Sequence, residues 1–190
     1  MNDDTLTQGR KSELKAQETG VDQADQMIPL ILDLDDTLLR TDTLYESLLA
    51  CLKKNPLNIF LVVRWLLMGR AALKNRLGAA SDLSVEDLPF NEDVVVLAKK
   101  AAANGRRVII ATAADESIAR QVANRMDMPV EVRASNGITN LKGRTKAEAL
   151  KNEFPDGYDY AGDSRADLPV WKSARKAILV GPSSGTKKRA

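Results

Sequence analysis

Asp33 and Asp35 stand two residues apart at the end of an apolar run, Leu30-Ile-Leu-Asp-Leu-Asp-Asp-Thr-Leu38, with Thr37 just behind them. This is the layout of an aspartyl nucleophile, and phosphoryl transfer is the first chemistry it suggests. Three further places offer what a phosphate would need. Thr112, in Ile-Ile-Ala-Thr-Ala-Ala, puts a hydroxyl and nearby backbone N–H groups where a strand should hand over to a helix. Lys146, in Lys-Gly-Arg-Thr-Lys-Ala-Glu-Ala-Leu, offers a point charge for a transferring phosphoryl group. Gly162-Asp163-Ser-Arg-Ala-Asp167 sets two carboxylates four residues apart beside a glycine, a pattern suited to magnesium and the groups that steady its ligands.

Taken singly, each of these has a plainer reading. The first segment could be a solvated turn, Thr112 a helix-start hydroxyl and Lys146 a surface charge, while Asp163 and Asp167 could serve a helix N-terminus with no metal. Electrostatics ties them together. Two carboxylates about 4 Å apart repel by roughly 4 kcal/mol at an effective dielectric near 20. If Asp33, Asp35 and Asp163 meet at neighbouring strand ends, they need a cation. An oxygen-only ligand set suits Mg²⁺, and the metal together with Lys146 would let an anionic Asp33 approach an anionic phosphate.

Composition removes the competitors. The 190 residues contain no histidine, which excludes Ser-His-Asp triads, histidine nucleophiles and His-ligated zinc, and leaves acid–base work to carboxylates or lysine. The one cysteine, Cys51, sits among leucines and reads as core. A net charge of +2 and 4% aromatic residues give no basis for nucleic-acid binding. With 44% hydrophobic residues the chain can bury a core without staples.

The elements that must position these residues are legible in the periodicity. Residues 1–26 are polar, mixed in charge and without an apolar stretch, and are expected to form a disordered leader; 182–190 form a basic tail. Thr43-Leu-Tyr-Glu46 reads as a capping box opening a helix through about Lys54, and Pro56 starts a second helical stretch running to about Arg76. Asn91 should cap a helix that Gly105 closes. Strands are expected at Arg107–Ala111, Val130–Arg133, Tyr158–Ala161 and Ala177–Val180. Helices are expected at Glu116–Met126, Thr145–Phe154 and Ala166–Ala174, with a loop over Ala134–Arg144. Strand alternating with helix predicts an α/β fold, a Rossmann-like parallel sheet with helices on both faces and right-handed crossovers. The core is 27–43 with 91–181, and 44–90 is a small helical cap inserted after the first strand.

In its motifs the chain resembles the haloacid dehalogenase superfamily of phosphotransferases over about Leu30 to Val180. The resemblance implies that Asp33 attacks phosphorus and becomes an aspartyl-phosphate, and that Asp35 protonates the leaving oxygen and then activates water. Thr112 and Lys146 would bind the phosphate. Asp163 would hold Mg²⁺ beside an Asp33 oxygen and the main-chain carbonyl of Asp35, with Asp167 steadying the metal shell. The presence of Asp35 implies the phosphatase branch over the dehalogenase branch; Asp36 stands where many members have glycine. Asn140-Leu-Lys-Gly-Arg-Thr-Lys-Ala-Glu-Ala-Leu150 and Tyr160-Ala-Gly-Asp-Ser-Arg-Ala-Asp-Leu-Pro-Val-Trp171 are also similar to hydrolase modules that precede membrane-embedded prenyltransferases of the ubiquinone-biosynthesis type.

The expected activity is therefore Mg²⁺-dependent hydrolysis of a phosphate monoester, either a small phosphorylated metabolite or a lipid-linked phosphate. A receiver-type phosphorylation switch and a non-catalytic module regulating a membrane prenyltransferase are the alternatives. A receiver would need an acid after its third strand, where this chain has Arg133-Ala-Ser. Residues 56–70, apolar nearly all round except for Arg64, are too short to span a bilayer. They form either a helix buried against the core or a partner such as the prenyltransferase, or an interfacial helix with Trp65 and snorkelling arginines at a membrane surface. The expected location is cytoplasmic, close to the membrane in the second case.

Overall fold

A computed structural model of the chain describes residues 27–81, 83–135 and 140–181. The expected leader, the basic tail and residues 136–139 of the expected Ala134–Arg144 loop lie outside them.

Five strands, β1 (Leu30–Leu32), β2 (Val108–Asp115), β3 (Glu131–Ser135), β4 (Asp159–Gly162) and β5 (Lys176–Leu179), form one parallel sheet in the order β3-β2-β1-β4-β5. β1 is central and entirely buried, as an uninterrupted Leu-Ile-Leu run requires of a strand covered on both faces. The period of two divides its side chains. Leu30 and Leu32 pack with α4 (Glu92–Ala103) and α5 (Glu116–Asn124), through residues such as Ala98 and Val122. Ile31 faces the other way, to Leu150 of α6 (Arg144–Glu153) and Trp171 of α7 (Leu168–Trp171). Each such fully buried aliphatic side chain contributes about 1.5–3 kcal/mol. Register then aligns the strand ends: Leu32 sits opposite Ile110 on one side and Ala161 on the other, so Asp33, Thr112 and Asp163 emerge together at the carboxyl edge.

Between Leu39 and Phe90, which meet in an antiparallel bridge, the chain leaves the sheet and builds three helices: α1 (Thr43–Lys54), α2 (Asn58–Leu67) and α3 (Arg70–Ala80). They share a small core of Cys51, Val62, Trp65, Leu73 and Leu77. The root of this excursion is clamped by Arg40 N–H to Pro89 C=O at 2.9 Å and Asn91 N–H to Leu38 C=O at 2.8 Å.

Several boundaries differ from the sequence expectation. The cap of α1 is Asp42, whose Oδ1 accepts from the N–H groups of Leu44 and Tyr45, while Thr41 rather than Thr43 bonds Glu46. The single stretch expected from Pro56 to Arg76 is two helices, because Gly69 takes φ 107°, where a side chain would be strained. β2 runs past Ala111 to Asp115. The helix expected over Ala166–Ala174 is a 3₁₀ turn, Arg165–Asp167, followed by the four-residue α7, with Pro169 in its first turn.

Candidate active site

Asp33 follows β1 directly, and its N–H still pairs with the Ala161 carbonyl at 2.9 Å, so the strand ladder fixes where the carboxylate begins. Lys146 lies in the first turn of α6 and is 3% exposed. An ammonium buried to that degree must be paired. Its Nζ donates to Asp33 Oδ1 at 2.7 Å and to the Tyr160 hydroxyl at 2.8 Å. Tyr160 in turn donates to Asp167 Oδ1 at 2.7 Å, closing a buried chain of charge and hydroxyl.

Asp167 also caps the 3₁₀ turn, its Oδ2 accepting from Ser164 N–H at 3.2 Å. The helix-capping role that the sequence allowed is therefore real, and the same carboxylate also serves the cluster. Gly162 makes room for it: a Cβ there would come within 2.8 Å of Asp167 Cγ.

Carboxylate oxygens of Asp33, Asp163 and Asp167 lie within 4.8 Å of one another. At such separations the anions disfavour one another by a few kcal/mol. Burial pushes the Asp33 carboxyl above its ordinary range, with Asp167 adding to the rise and Lys146 opposing it. Asp163 is pushed up to about 7, by burial first and then by Asp167 and Asp33. Lys146 is the cation set directly among these acids, so the group is short of positive charge. A carboxylate cluster with no nitrogen or sulfur suits a hard divalent ion such as Mg²⁺, which Asp33 and Asp163 could ligate with Asp167, both of whose oxygens already accept hydrogen bonds, beside them.

Asp35 stands apart from that group. Its Oδ1 accepts from Thr43 N–H at 2.8 Å, at the start of α1, and burial raises its carboxyl to about 6. A carboxylic acid with that affinity is suited to carrying a proton near neutral pH. Thr112 is fully buried, and its Oγ1 accepts from Ala114 N–H at 2.9 Å. The wall of the adjoining cavity is formed at this strand end by Ala113, Ala114 and Asp115.

That cavity, about 450 Å³, has a floor of Asp33, Asp35, Lys146 and Asp163 and a roof from the cap that includes Ser47, Leu66 and Lys74. Two residues of its wall, and one buried beneath it, were not singled out by the sequence. Tyr160 looked like ordinary strand core; its position two residues from Tyr158, on the face toward α6, is the signal that could have found it. Lys74 comes from α3 and donates to the Ala113 carbonyl at 2.9 Å, a contact across 39 positions that no local pattern announces. Burial holds its ammonium below the usual lysine range. Ser47, 1% exposed, leaves its hydroxyl without a partner among the described residues, in the cavity wall.

Known proteins share this arrangement at the level of fold. No family model matches the chain. A protein of unknown function from Bordetella pertussis Tohama I superposes with a TM-score of 0.65 at 16% identity, covering 85% of this chain and 93% of its own. A phosphoserine phosphatase in complex with substrate gives 0.61 at 16% identity, covering 86% and 90%. A hydrolase of the haloacid dehalogenase (HAD) family from Salmonella enterica serovar Typhi gives 0.61 at 12%, covering 85% and 66%. The chain thus has a Rossmann-like α/β fold in common with phosphatases and HAD-family hydrolases. In sequence, it is 37% identical over 176 residues to an uncharacterised protein of Sinorhizobium fredii, an alignment that takes in 93% of this chain and 34% of that relative's length.

Proposed function

We propose that the protein is a phosphatase of the haloacid dehalogenase type, hydrolysing phosphate monoesters through an aspartyl-phosphate on Asp33. The observation that carries this reading is Asp33 held at 2.7 Å from Lys146 at the floor of a cavity, with Asp163 and Asp167 beside it. A carboxylate at a strand end, exposed to a cavity and flanked by a lysine, is arranged to attack an electrophile that is itself anionic.

In the proposed reaction an Asp33 oxygen bonds to phosphorus as the bond from phosphorus to the leaving oxygen breaks, and protonated Asp35 gives that oxygen its proton. Asp35, now anionic, takes a proton from water as the water oxygen attacks phosphorus; the Asp33–phosphorus bond breaks and inorganic phosphate leaves. Lys146 balances the charge on the phosphoryl oxygens, and Thr112, whose Oγ1 already accepts from Ala114, keeps its own proton for one of them. Asp33, Asp163 and the main-chain carbonyl of Asp35 would ligate Mg²⁺, with Asp167 beside them. The ion would supply Lewis-acid stabilisation of the phosphoryl charge.

Trapping with beryllium fluoride and magnesium, followed by fluorine NMR and a structure of the adduct, tests the assignment. The expected result is a single adduct on Asp33; an adduct on another carboxylate overturns it. Continuous phosphate release from p-nitrophenyl phosphate, abolished by EDTA, separates this reading from a receiver-type switch, which would take up phosphate once. An interfacial position of residues 56–70 extends the proposal to lipid-linked phosphates as substrates. A panel of phosphorylated metabolites and polyprenyl phosphates decides between the two substrate classes.

A further inference from the structure

Helix α2 presents its apolar side to solvent. Of the eleven large hydrophobic residues that are exposed among the described residues, eight fall between Leu57 and Met68. Only Val62 and Trp65 of the helix turn inward to the cap core, so Trp65 packs as the buried-helix reading of 56–70 has it and is not the outer anchor of the interfacial reading. Helical geometry puts Phe60 and Leu67, seven residues apart, at the outward crest, and they are 73% and 85% exposed. An apolar patch of this kind marks an interaction surface rather than scatter.

Charge says what kind. From Ser47 to Ser81 the sequence contains Lys53, Lys54, Arg64, Arg70, Lys74 and Arg76, and no aspartate or glutamate. Arg64, on the same outward side, and Lys53, Lys54 and Arg76 on the neighbouring helices are exposed. A second copy packed symmetrically on this face would bring the same cations together, which costs rather than stabilises. An anionic lipid surface complements both features: apolar side chains enter the headgroup boundary while lysine and arginine stay among the phosphates. The helix, ten residues long, is fitted to lie on such a surface, and among the described residues no helix is long and apolar enough to cross a membrane.

We infer that α2 is a docking face for an anionic membrane surface. Leu66 belongs both to this face, at 52% exposure, and to the wall of the carboxylate-lined cavity, so docking sets the cavity beside the bilayer. The inference does not depend on the phosphatase reading, and its test does not use activity.

The full chain is floated on a density gradient with vesicles of phosphatidylcholine alone and with phosphatidylcholine and phosphatidylglycerol in equal parts. Binding to the anionic vesicles only is expected, with a loss of about a hundredfold in partitioning for the Phe60→Asp, Leu67→Asp double variant. Lys53→Glu with Arg64→Glu is expected to weaken binding, and added salt to weaken that of the wild type. Hydrogen exchange of the wild type should show residues 57–68 gaining protection on anionic vesicles, a readout that stands even if the double variant fails to fold. The inference is overturned by a wild type that stays in solution, by equal binding to neutral vesicles, or by a folded double variant that still floats. It is equally overturned if the wild type is a dimer that the double variant converts to monomer.

Discussion

The two ends of β4 treat buried carboxylates in opposite ways. At its start, Asp159 is 2% exposed and fully compensated: Arg106 Nη2 lies 2.7 Å from one oxygen, and Arg175 donates to both at 3.0 Å. Those two guanidiniums hold its carboxyl below the usual range against the cost of burial. Just past the other end, Asp163 and Asp167, with Asp33 alongside, have Lys146 as the cation set directly among them, and Asp33 and Asp163 are raised. One end of the strand is neutralised in the way a fold needs, with each anion matched by donors. The other is left short of positive charge, a state that costs stability and makes sense only where another cation or a phosphate is to be handled.

That contrast can be broken from both ends. Asp33→Asn is expected to lower phosphatase turnover on the order of 10⁴-fold while leaving the thermal melt unchanged or raised, measured by phosphate release and circular dichroism. Asp159→Asn should do the reverse. It leaves Arg106 and Arg175 facing a neutral amide and should cost about 3 kcal/mol, a fall of roughly 6–12 °C in Tm, with activity per folded molecule retained. Equal behaviour of the two variants in both assays would remove the distinction.

Acid titration sharpens it. Because the folded pKa of Asp159 is lowered, its stabilising contribution is complete above the unfolded carboxyl value near 4 and is lost as pH falls through the folded value. The stability gap between the wild type and Asp159→Asn, read from urea melts, should therefore be constant from neutral pH down to about 4 and narrow below it. At the other end of the strand, Asp163→Asn removes one of three mutually repelling acids, so the metal-free protein should melt slightly higher while magnesium no longer raises its Tm. The smallest effect is expected at Asp36, a residue with a side chain at φ 56°. Asp36→Gly relieves that conformation and should change stability by about 1 kcal/mol or less, on the stabilising side.

Much of the candidate site could be read before any coordinates. Asp33, Lys146 and the Gly162–Asp167 segment lie where short-range patterns end, at a strand terminus or a helix start, and such termini are local events governed by side-chain period and capping. The three-helix excursion likewise announced itself as a helical stretch between the first two strands. What escaped was whatever depends on which side of an element faces what. Tyr160 reads as a strand aromatic until α6 brings Lys146 against it. Lys74 carries no local signal until α3 lies over the end of β2. Trp65 reads either as core or as an interfacial anchor until Cys51 and Leu77 surround it.

The amino-acid order alone determined most of the element types, the parallel α/β class and the candidates for attacking or binding a phosphate, because period, capping and composition act within a few residues. Only the folded chain decided that Asp163 and Asp167 share one site with Asp33 while Asp35 turns to the cap, and that α2 keeps an apolar side in the open. Those outcomes follow from strand register and helix packing between segments far apart in the chain, where no local propensity reaches.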